Sequence, residues 1–110
     1  MKPLKPSPDS PFSTLSLRAA SVNDAAALSA LLQQLAPQEP RADAKLLALR
    51  LAELPASRAV LVAERNGKLL GTCTVNLIEH LAHNFARSAI LEDVVVDADA
   101  RGLGIGQALL

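Results

Sequence analysis

The residues best suited to chemistry lie in one short segment near the end of the 110-residue chain. A hydrophobic stretch ending at Val96 is followed by Arg101 and then by three glycines, Gly102, Gly104 and Gly106. Glycines let a backbone approach a ligand closely, and the first N–H groups of a helix have no partners inside that helix. Such amides, helped by the helix dipole, bind a pyrophosphate without a basic cluster. The segment therefore predicts a phosphate-binding turn, with Arg101 adding one positive charge.

Three kinds of nucleotide-binding turn contain glycines in patterns of this type. A P-loop requires Gly-Lys-Ser/Thr, but Gly106 is followed by Gln107. A dinucleotide fingerprint requires G-x-G-x-x-G and a later acidic residue, and this chain has neither. The third kind belongs to the GNAT superfamily, whose signature after the fourth strand is Arg/Gln-x-x-Gly-x-Gly/Ala. The chain resembles that signature at Arg101, Gly104 and Gly106. The alternative to a phosphate-binding turn is a glycine-rich loop that binds no ligand and precedes a surface helix.

The elements that must position this turn can be placed along the chain. Residues 1–14 contain four of the seven prolines and several serines, which predicts a flexible tail. A strand is predicted at 15–19, a helix from Ser21 to Pro37, and a second helix at 41–54 with an apolar stripe that includes Leu46. Next come a strand at 59–64, an Asn-Gly type I′ turn, and a return strand at 69–78.

The second half of the pattern predicts the strand that precedes the glycine turn. Residues 79–88 form a predicted polar loop, and 89–97 are the most β-branched stretch, which predicts a central strand. In the return strand, alternation predicts Leu69 and Cys73 on one face and Thr72 on the other. The order of elements predicts an α/β fold, with a mixed, mainly antiparallel sheet flanked by helices. On the resemblance, 15–110 is an N-acetyltransferase (GNAT) domain that lacks its C-terminal half.

The resemblance covers about residues 15–110 and implies acetyl-CoA as the acetyl donor. It implies that a pyrophosphate is held at Arg101, Gly102, Leu103, Gly104, Ile105, Gly106 and Gln107. It also implies that the pantetheine arm pairs, like an added strand, with the backbone of Val94, Val95 and Val96. The implied reaction is direct acetyl transfer from the thioester to a primary amine of a small molecule. Residues 90–97 further resemble the branch that contains glucosamine-phosphate acetyltransferases.

The resemblance implies a catalytic carboxylate on the fourth strand, either Glu92 or Asp93, that helps to deprotonate the ammonium directly or through water. Alternation predicts Glu92 on the face of Val94 and Val96, and Asp93 on the face of Val95. The face that meets the substrate stays open, and a solvated strand residue is the alternative for either acid. In many family members a tyrosine is the general acid toward the thiolate. This sequence contains no tyrosine.

The loop before the fourth strand contains the remaining candidate residues. His83, Asn84 and Arg87, with His80, are predicted to shape the amine pocket, since recognition groups often lie on loops held by a rigid scaffold. Arg87 suits a phosphate or carboxylate on the substrate. Glu79, His80 and His83 lack a further strong ligand, so no metal site is predicted.

Composition limits the partners and the compartment. Eleven basic and eleven acidic residues cancel, and Phe12 and Phe85 are the only aromatic residues, so neither nucleic acid nor a membrane is expected as a partner. The single cysteine, Cys73, is predicted to be a buried thiol and suits a reducing cytoplasm. We expect a homodimer through the exposed sheet edge. The alternative function is an inactive GNAT remnant that binds CoA or dimerises.

Overall fold

The computed structural model describes residues 15–102 and 104–110. The tail predicted at 1–14 and the predicted cofactor residue Leu103 lie outside the described residues. The strands are β1 (Ser16–Ala19), β2 (Arg58–Arg65), β3 (Lys68–Glu79) and β4 (Arg87–Val96), and the helices are α1 (Ala25–Leu32), α2 (Ala44–Ala52) and α3 (Ile105–Leu109). They form one sheet in the order β1-β2-β3-β4, with every neighbouring pair antiparallel. The predicted α/β class is confirmed.

The predicted start of the first helix is confirmed. The backbone N–H of Ser21 donates to Asp24 Oδ2 at 2.7 Å, and short 3-10 turns precede and follow α1 before Pro37. Helix α2 begins later than predicted, because the Asp43 side chain caps it. This side chain accepts hydrogen bonds from the backbone N–H groups of Lys45 and Leu46. Leu46 is 51% exposed, so its predicted place in the apolar stripe is wrong.

Helices α1 and α2 cover one face of the sheet, and α3 packs on the other. The core beneath α1 comprises Leu28, Leu31, Val62, Leu69 and Val95. The core beneath α3 comprises Ala63, Leu70, Cys73, Ala100, Ile105 and Leu109. Each face therefore has its own apolar core. None of the helices in the described ranges is long and apolar enough to span a membrane.

A bulge near the start of β3 exchanges the faces on which Leu69 and Leu70 lie, relative to simple alternation from Cys73. Ala63 pairs with Gly71 but Glu64 pairs with Leu69, so Leu70 is an extra residue in the ladder. Leu69 therefore packs beneath α1 and Leu70 beneath α3. The prediction that Leu69 shares the face of Cys73 is wrong, because simple alternation fails across a bulge.

The turn between β2 and β3 is as predicted, whereas the connection between β3 and β4 is not. Asn66 and Gly67 have φ angles of 52° and 77°, which confirms the predicted type I′ turn. The later loop is shorter than predicted, since β3 runs to Glu79 and β4 begins at Arg87. The prediction that β4 is central is wrong, because among the described strands it pairs with β3 alone and eight of its ten residues are exposed. β-branched composition favours a strand but does not fix its position in a sheet.

Candidate functional site

Strand β4 has a bulge at its pair of acidic residues. Thr74 pairs with Glu92 but Thr72 pairs with Val95, so three steps along β4 match two along β3. Asp93 lies in this irregularity with a φ of 52°, a left-handed conformation that aspartate adopts more readily than most residues. The bulge therefore changes which side chains of β4 share a face.

The predicted alternation around the acids is wrong for this reason. Because Thr72 and Thr74 are alternate residues of β3, their partners Val95 and Glu92 lie on the same face, beneath α1 and α2. Val96 instead packs against the core beneath α3. Asp93, expected on the opposite face from Glu92, lines the same cavity as Glu92.

This cavity lies between α1, α2 and the sheet and has a volume of about 240 Å³. Its apolar lining is Leu28, Leu32, Leu47, Leu51, Leu54 and Val60. Its polar lining is Arg50, Arg58, Thr72, Thr74, Glu92 and Asp93. An apolar wall with a few convergent polar groups is typical of small-molecule sites. The structure therefore brings both predicted catalytic acids together in one small cavity.

The carboxylates in this cavity are open to a ligand. Within residues 15–102 and 104–110, Glu92 and Asp93 form no ion pair closer than 4.0 Å. Both acids are solvent-exposed. They can therefore accept hydrogen bonds from a cationic group that enters the cavity.

The glycine turn joins the end of β4 to α3. Gly102 and Gly104 have φ angles of 86° and 79°, where a side chain is disfavoured. Gly104 is the residue that precedes the first turn of α3. Arg101 Nε donates to the backbone oxygen of Val96 at 3.2 Å, which ties the turn back to β4. The predicted turn thus has the backbone conformation that only glycine adopts easily.

Gly71 of β3 is a residue that the sequence analysis did not identify as important. A Cβ there would lie 2.9 Å from Leu109 Cδ1, 3.1 Å from Ile105 Cγ2 and 3.3 Å from the Val95 oxygen. Helix α3 therefore rests directly on the backbone of β3. The available signal was a glycine inside a strand, which often marks a close approach.

The loop residues predicted to bind substrate lie elsewhere. His83 and Asn84 are in the connection between β3 and β4, and Arg87 pairs with Glu79 at the far end of β4. Arg87 is five positions from Glu92, which is about 16 Å along a strand. None of these three described residues lines the cavity that contains Glu92. Their role in substrate binding stays a prediction.

Metal-ligating side chains are not clustered in the described part of the chain. No group of three or more His, Cys, Asp or Glu residues there could hold a metal ion. His80 Nε2 instead lies 2.8 Å from Ser88 Oγ, across the base of the β3–β4 connection. The position of His80 is thus explained by a hydrogen bond between the strands.

Comparison with known proteins decides the family to which this site belongs. Residues 26–110 match the family model of the Acetyltransferase (GNAT) family, a match that includes the bulged strand, both acids and the glycine turn. The chain belongs to the GNAT acetyltransferase family. The N-acetyltransferase class predicted from Arg101, Gly104 and Gly106 is thereby confirmed.

Solved structures show the same fold. A putative acetyltransferase from Agrobacterium tumefaciens str. C58 is 33% identical, with a TM-score of 0.76, covering 86% of this chain and 67% of that chain. Glucosamine-6-phosphate N-acetyltransferase from Arabidopsis thaliana is 24% identical, with a TM-score of 0.78 and coverages of 87% and 69%. Ribosomal-protein-alanine N-acetyltransferase from Brucella melitensis biovar Abortus 2308 is 23% identical, with a TM-score of 0.71 and coverages of 87% and 66%. This chain spans about two thirds of the length of these GNAT proteins.

The GNAT fold by itself does not choose the acceptor. The names of the last two structures specify a sugar phosphate and a ribosomal protein as acceptors, although both share this fold. A fold can host many functions, so specificity must be argued from the residues of the site. For this GNAT chain, the cavity beneath α1 and α2 is the candidate for that site.

Proposed function

We propose that this chain transfers the acetyl group of acetyl-CoA to a primary amine of a small molecule held in the 240 Å³ cavity. The observation that supports this most directly is the bulge at Asp93, since both acids line the cavity at this point. Only Val94–Val96 separate the bulge from the turn that leads to α3, about 10 Å of strand. The acids and the glycine turn are thus held by one strand segment.

The residues on the donor side fit a thioester whose pantetheine arm leads to a pyrophosphate. The left-handed Gly102 and Gly104 leave the backbone uncovered by side chains, and the amides of Ile105, Gly106 and Gln107 begin α3. The outer edge of β4 is unpaired among the described residues, so an extended arm can add to it as a strand. Bound acetyl-CoA supplies the activated acetyl group, and these residues orient it.

The acids supply what an amine acceptor needs. A primary alkylamine has a pKa of about 10, so at neutral pH it is an ammonium without a free electron pair. Glu92 or Asp93 accepts the proton, directly or through water. The amine nitrogen then forms the C–N bond at the thioester carbonyl, and the C–S bond breaks with its electron pair on sulfur. The nitrogen of the new amide then loses its second proton and the thiolate gains one, both through water, so the products are the amide and the free thiol of CoA.

Calorimetry and kinetics on the 110-residue chain test this proposal. We expect acetyl-CoA to bind and a panel of small primary amines to release CoA. Glu92→Gln and Asp93→Asn remove one charge each with little change of shape, and asparagine tolerates the left-handed φ at 93. At least one variant should lower kcat by about 100-fold, the usual size of a general-base effect, without weakening acetyl-CoA binding. Absence of acetyl-CoA binding, or full activity in the double variant, contradicts the proposal.

A cytoplasmic location is a further part of the proposal. Cys73 is the only cysteine in the sequence, and it lies in the core beneath α3. An unpaired, buried thiol suits a reducing compartment. Fractionation of cells that express the tagged protein checks this location.

The second candidate is an interaction domain that self-associates through β4. The observation in its favour is the exposed edge, where Ile90, Leu91 and Val94 are each more than a third exposed. The bulge at Asp93 acts against it by interrupting the ladder that a second copy could pair with. Sedimentation over a hundredfold concentration range separates the two candidates: a stable dimer without acetyl-CoA binding favours the interaction domain.

A further inference from the structure

We infer that the amine acceptor also carries an anionic group, a carboxylate or a phosphate, which Arg50 and Arg58 bind. This inference rests on the proposed function in one respect, namely that the cavity is the acceptor site. Arg50 lies in the last turn of α2 and Arg58 is the first residue of β2, and both line the cavity that contains Glu92 and Asp93. The cavity therefore has a cationic side and an anionic side.

The two arginines are free to bind a ligand. Among the described residues neither forms an ion pair within 4.0 Å, although two carboxylates line the same cavity. Arg58 donates from Nε to Asn76 Oδ1 at 2.9 Å, which holds its side chain in place and leaves both Nη groups available. No hydrogen bond occupies the Arg50 side chain in the described part of the chain. A guanidinium binds a carboxylate or phosphate through two parallel N–H bonds.

Strand register gives the separation of the two charged sides. Arg58 pairs with Asn76 of β3, and Glu92 pairs with Thr74, two positions away on the same face. With neighbouring strands about 4.8 Å apart and a rise of about 3.4 Å per residue, the Cα atoms of Arg58 and Glu92 are about 12 Å apart. Arg58 and Glu92, both among the described residues, form no ion pair within 4.0 Å, so their side chains do not close this interval. The space between their charged groups suits a small molecule with an ammonium at one end and an anion at the other.

The uncharged lining restricts the middle of the acceptor. The cavity floor between the charged sides includes Val60, Thr72 and Thr74, and the helix side contributes Leu47 and Leu51. An amine without an anionic group would bind the acids but leave both guanidinium groups without a counter-charge. An amine that also carries an anionic group satisfies both sides, so we expect selectivity for it over the counterpart that lacks this group.

Matched amines test the inference directly on the 110-residue chain. The pairs are phosphoethanolamine against ethanolamine, and leucine against 3-methylbutylamine, so that each pair differs by one anionic group. Binding is followed by NMR titration of the ¹⁵N-labelled chain, with and without CoA. We expect at least one anionic member to bind more than tenfold more tightly, with shifts in the Nε–H signals of Arg50 and Arg58. The pair that responds identifies a phosphate or a carboxylate.

Charge-removing variants connect this selectivity to the two arginines. Arg50→Gln and Arg58→Gln should each reduce the affinity ratio within a pair, and the double variant should abolish it. Lys45→Gln is the matched control, since Lys45 is an exposed cation on the same helix outside the cavity lining. Equal affinity for both members, no binding of any amine, or full selectivity in the double variant overturns the inference. Retained selectivity in a chain that does not bind acetyl-CoA contradicts the proposed reaction but supports this inference.

Discussion

Gly71 and Leu109 are in such close contact that a Cβ at position 71 would lie 2.9 Å from Leu109 Cδ1. The same atom would meet Ile105 Cγ2 and the backbone oxygen of Val95, so Leu109 alone cannot relieve the crowding by moving. Helix α3 is thus seated on β3 by the absence of a side chain. Since Gly104 precedes α3 directly, this contact also fixes the glycine turn.

Gly71→Ala should therefore destabilise the protein and weaken acetyl-CoA binding together. Overpacking a core costs about 1–3 kcal/mol, measurable as a lower midpoint in urea. Gly106→Ala is the matched control for stability, because its Cβ would meet only Val96 Cγ2 at an ordinary 3.6 Å. Alanine also favours a helix over glycine by about 1 kcal/mol, so this variant should be at least as stable as the parent. Equal stability of the two variants would contradict the assignment of Gly71.

Gly104→Val should weaken acetyl-CoA binding by more than about tenfold. Its φ of 79° is left-handed, which costs an ordinary residue about 1–2 kcal/mol. Gly104→Asn is the comparison, because asparagine adopts this conformation more readily. Calorimetry should rank the affinities glycine, asparagine, valine. If the valine variant binds as tightly as the parent, the turn does not hold the pyrophosphate.

Asp24 should make stability depend on pH in the acid range. Hydrogen bonds from the Arg18 guanidinium at 2.7 and 2.9 Å lower the pKa of Asp24 from 3.8 to about 2, against the opposing effect of its burial. A lowered carboxyl pKa stabilises the folded state fully above pH 3.8, and this contribution is lost as the pH falls through about 2. The shift corresponds to about 2 kcal/mol.

Urea unfolding of the parent and of Asp24→Asn at several pH values isolates this contribution. The difference in free energy of unfolding should be largest at neutral pH and should shrink between pH 4 and pH 2. Carboxyl groups that do not contact Arg18 contribute equally in both proteins and cancel in the difference, and Glu64, which also binds the Arg18 guanidinium, is the exception. A difference that stays constant over this range would show that the ion pair with Arg18 does not stabilise the fold.

Cys73 should be unreactive in the folded protein. Burial raises the pKa of its thiol, and the thiolate is the reactive form. Because it is the only cysteine, the absorbance change with Ellman's reagent reports this one site. We expect the reaction to be more than about tenfold slower in buffer than in 8 M urea. Similar rates in the two solvents would contradict the burial of Cys73.

Local chemistry made much of the fold predictable. The Asn66-Gly67 turn, the helix start at Ser21 and the arrest before Pro37 each depend on residues close together in the chain, and each is confirmed. The glycine turn after β4 belongs to the same class, because left-handed conformations at Gly102 and Gly104 are a property of the residues themselves.

The faces of β3 and β4 could not be predicted in the same way. A bulge is defined by two strands, and the one local signal, Gly71 inside β3, does not indicate which residue is extra. Both errors in alternation come from this cause. Arg50 and Arg58 were missed for a related reason, since only the packing of α2 and β2 brings them to the cavity that contains Glu92.

Strand β3 is buried on both faces at residues 69–73 and exposed at 77–79, and this asymmetry has a dynamic consequence. Amide protons exchange with solvent through local opening where few groups are packed, and through global unfolding where both faces are covered. Exchange should therefore be slowest beside the glycine turn and fastest at the β3–β4 connection. The β3–β4 connection can open and close while the part of β3 beside the glycine turn stays packed. One continuous strand thus has a rigid end and a flexible end.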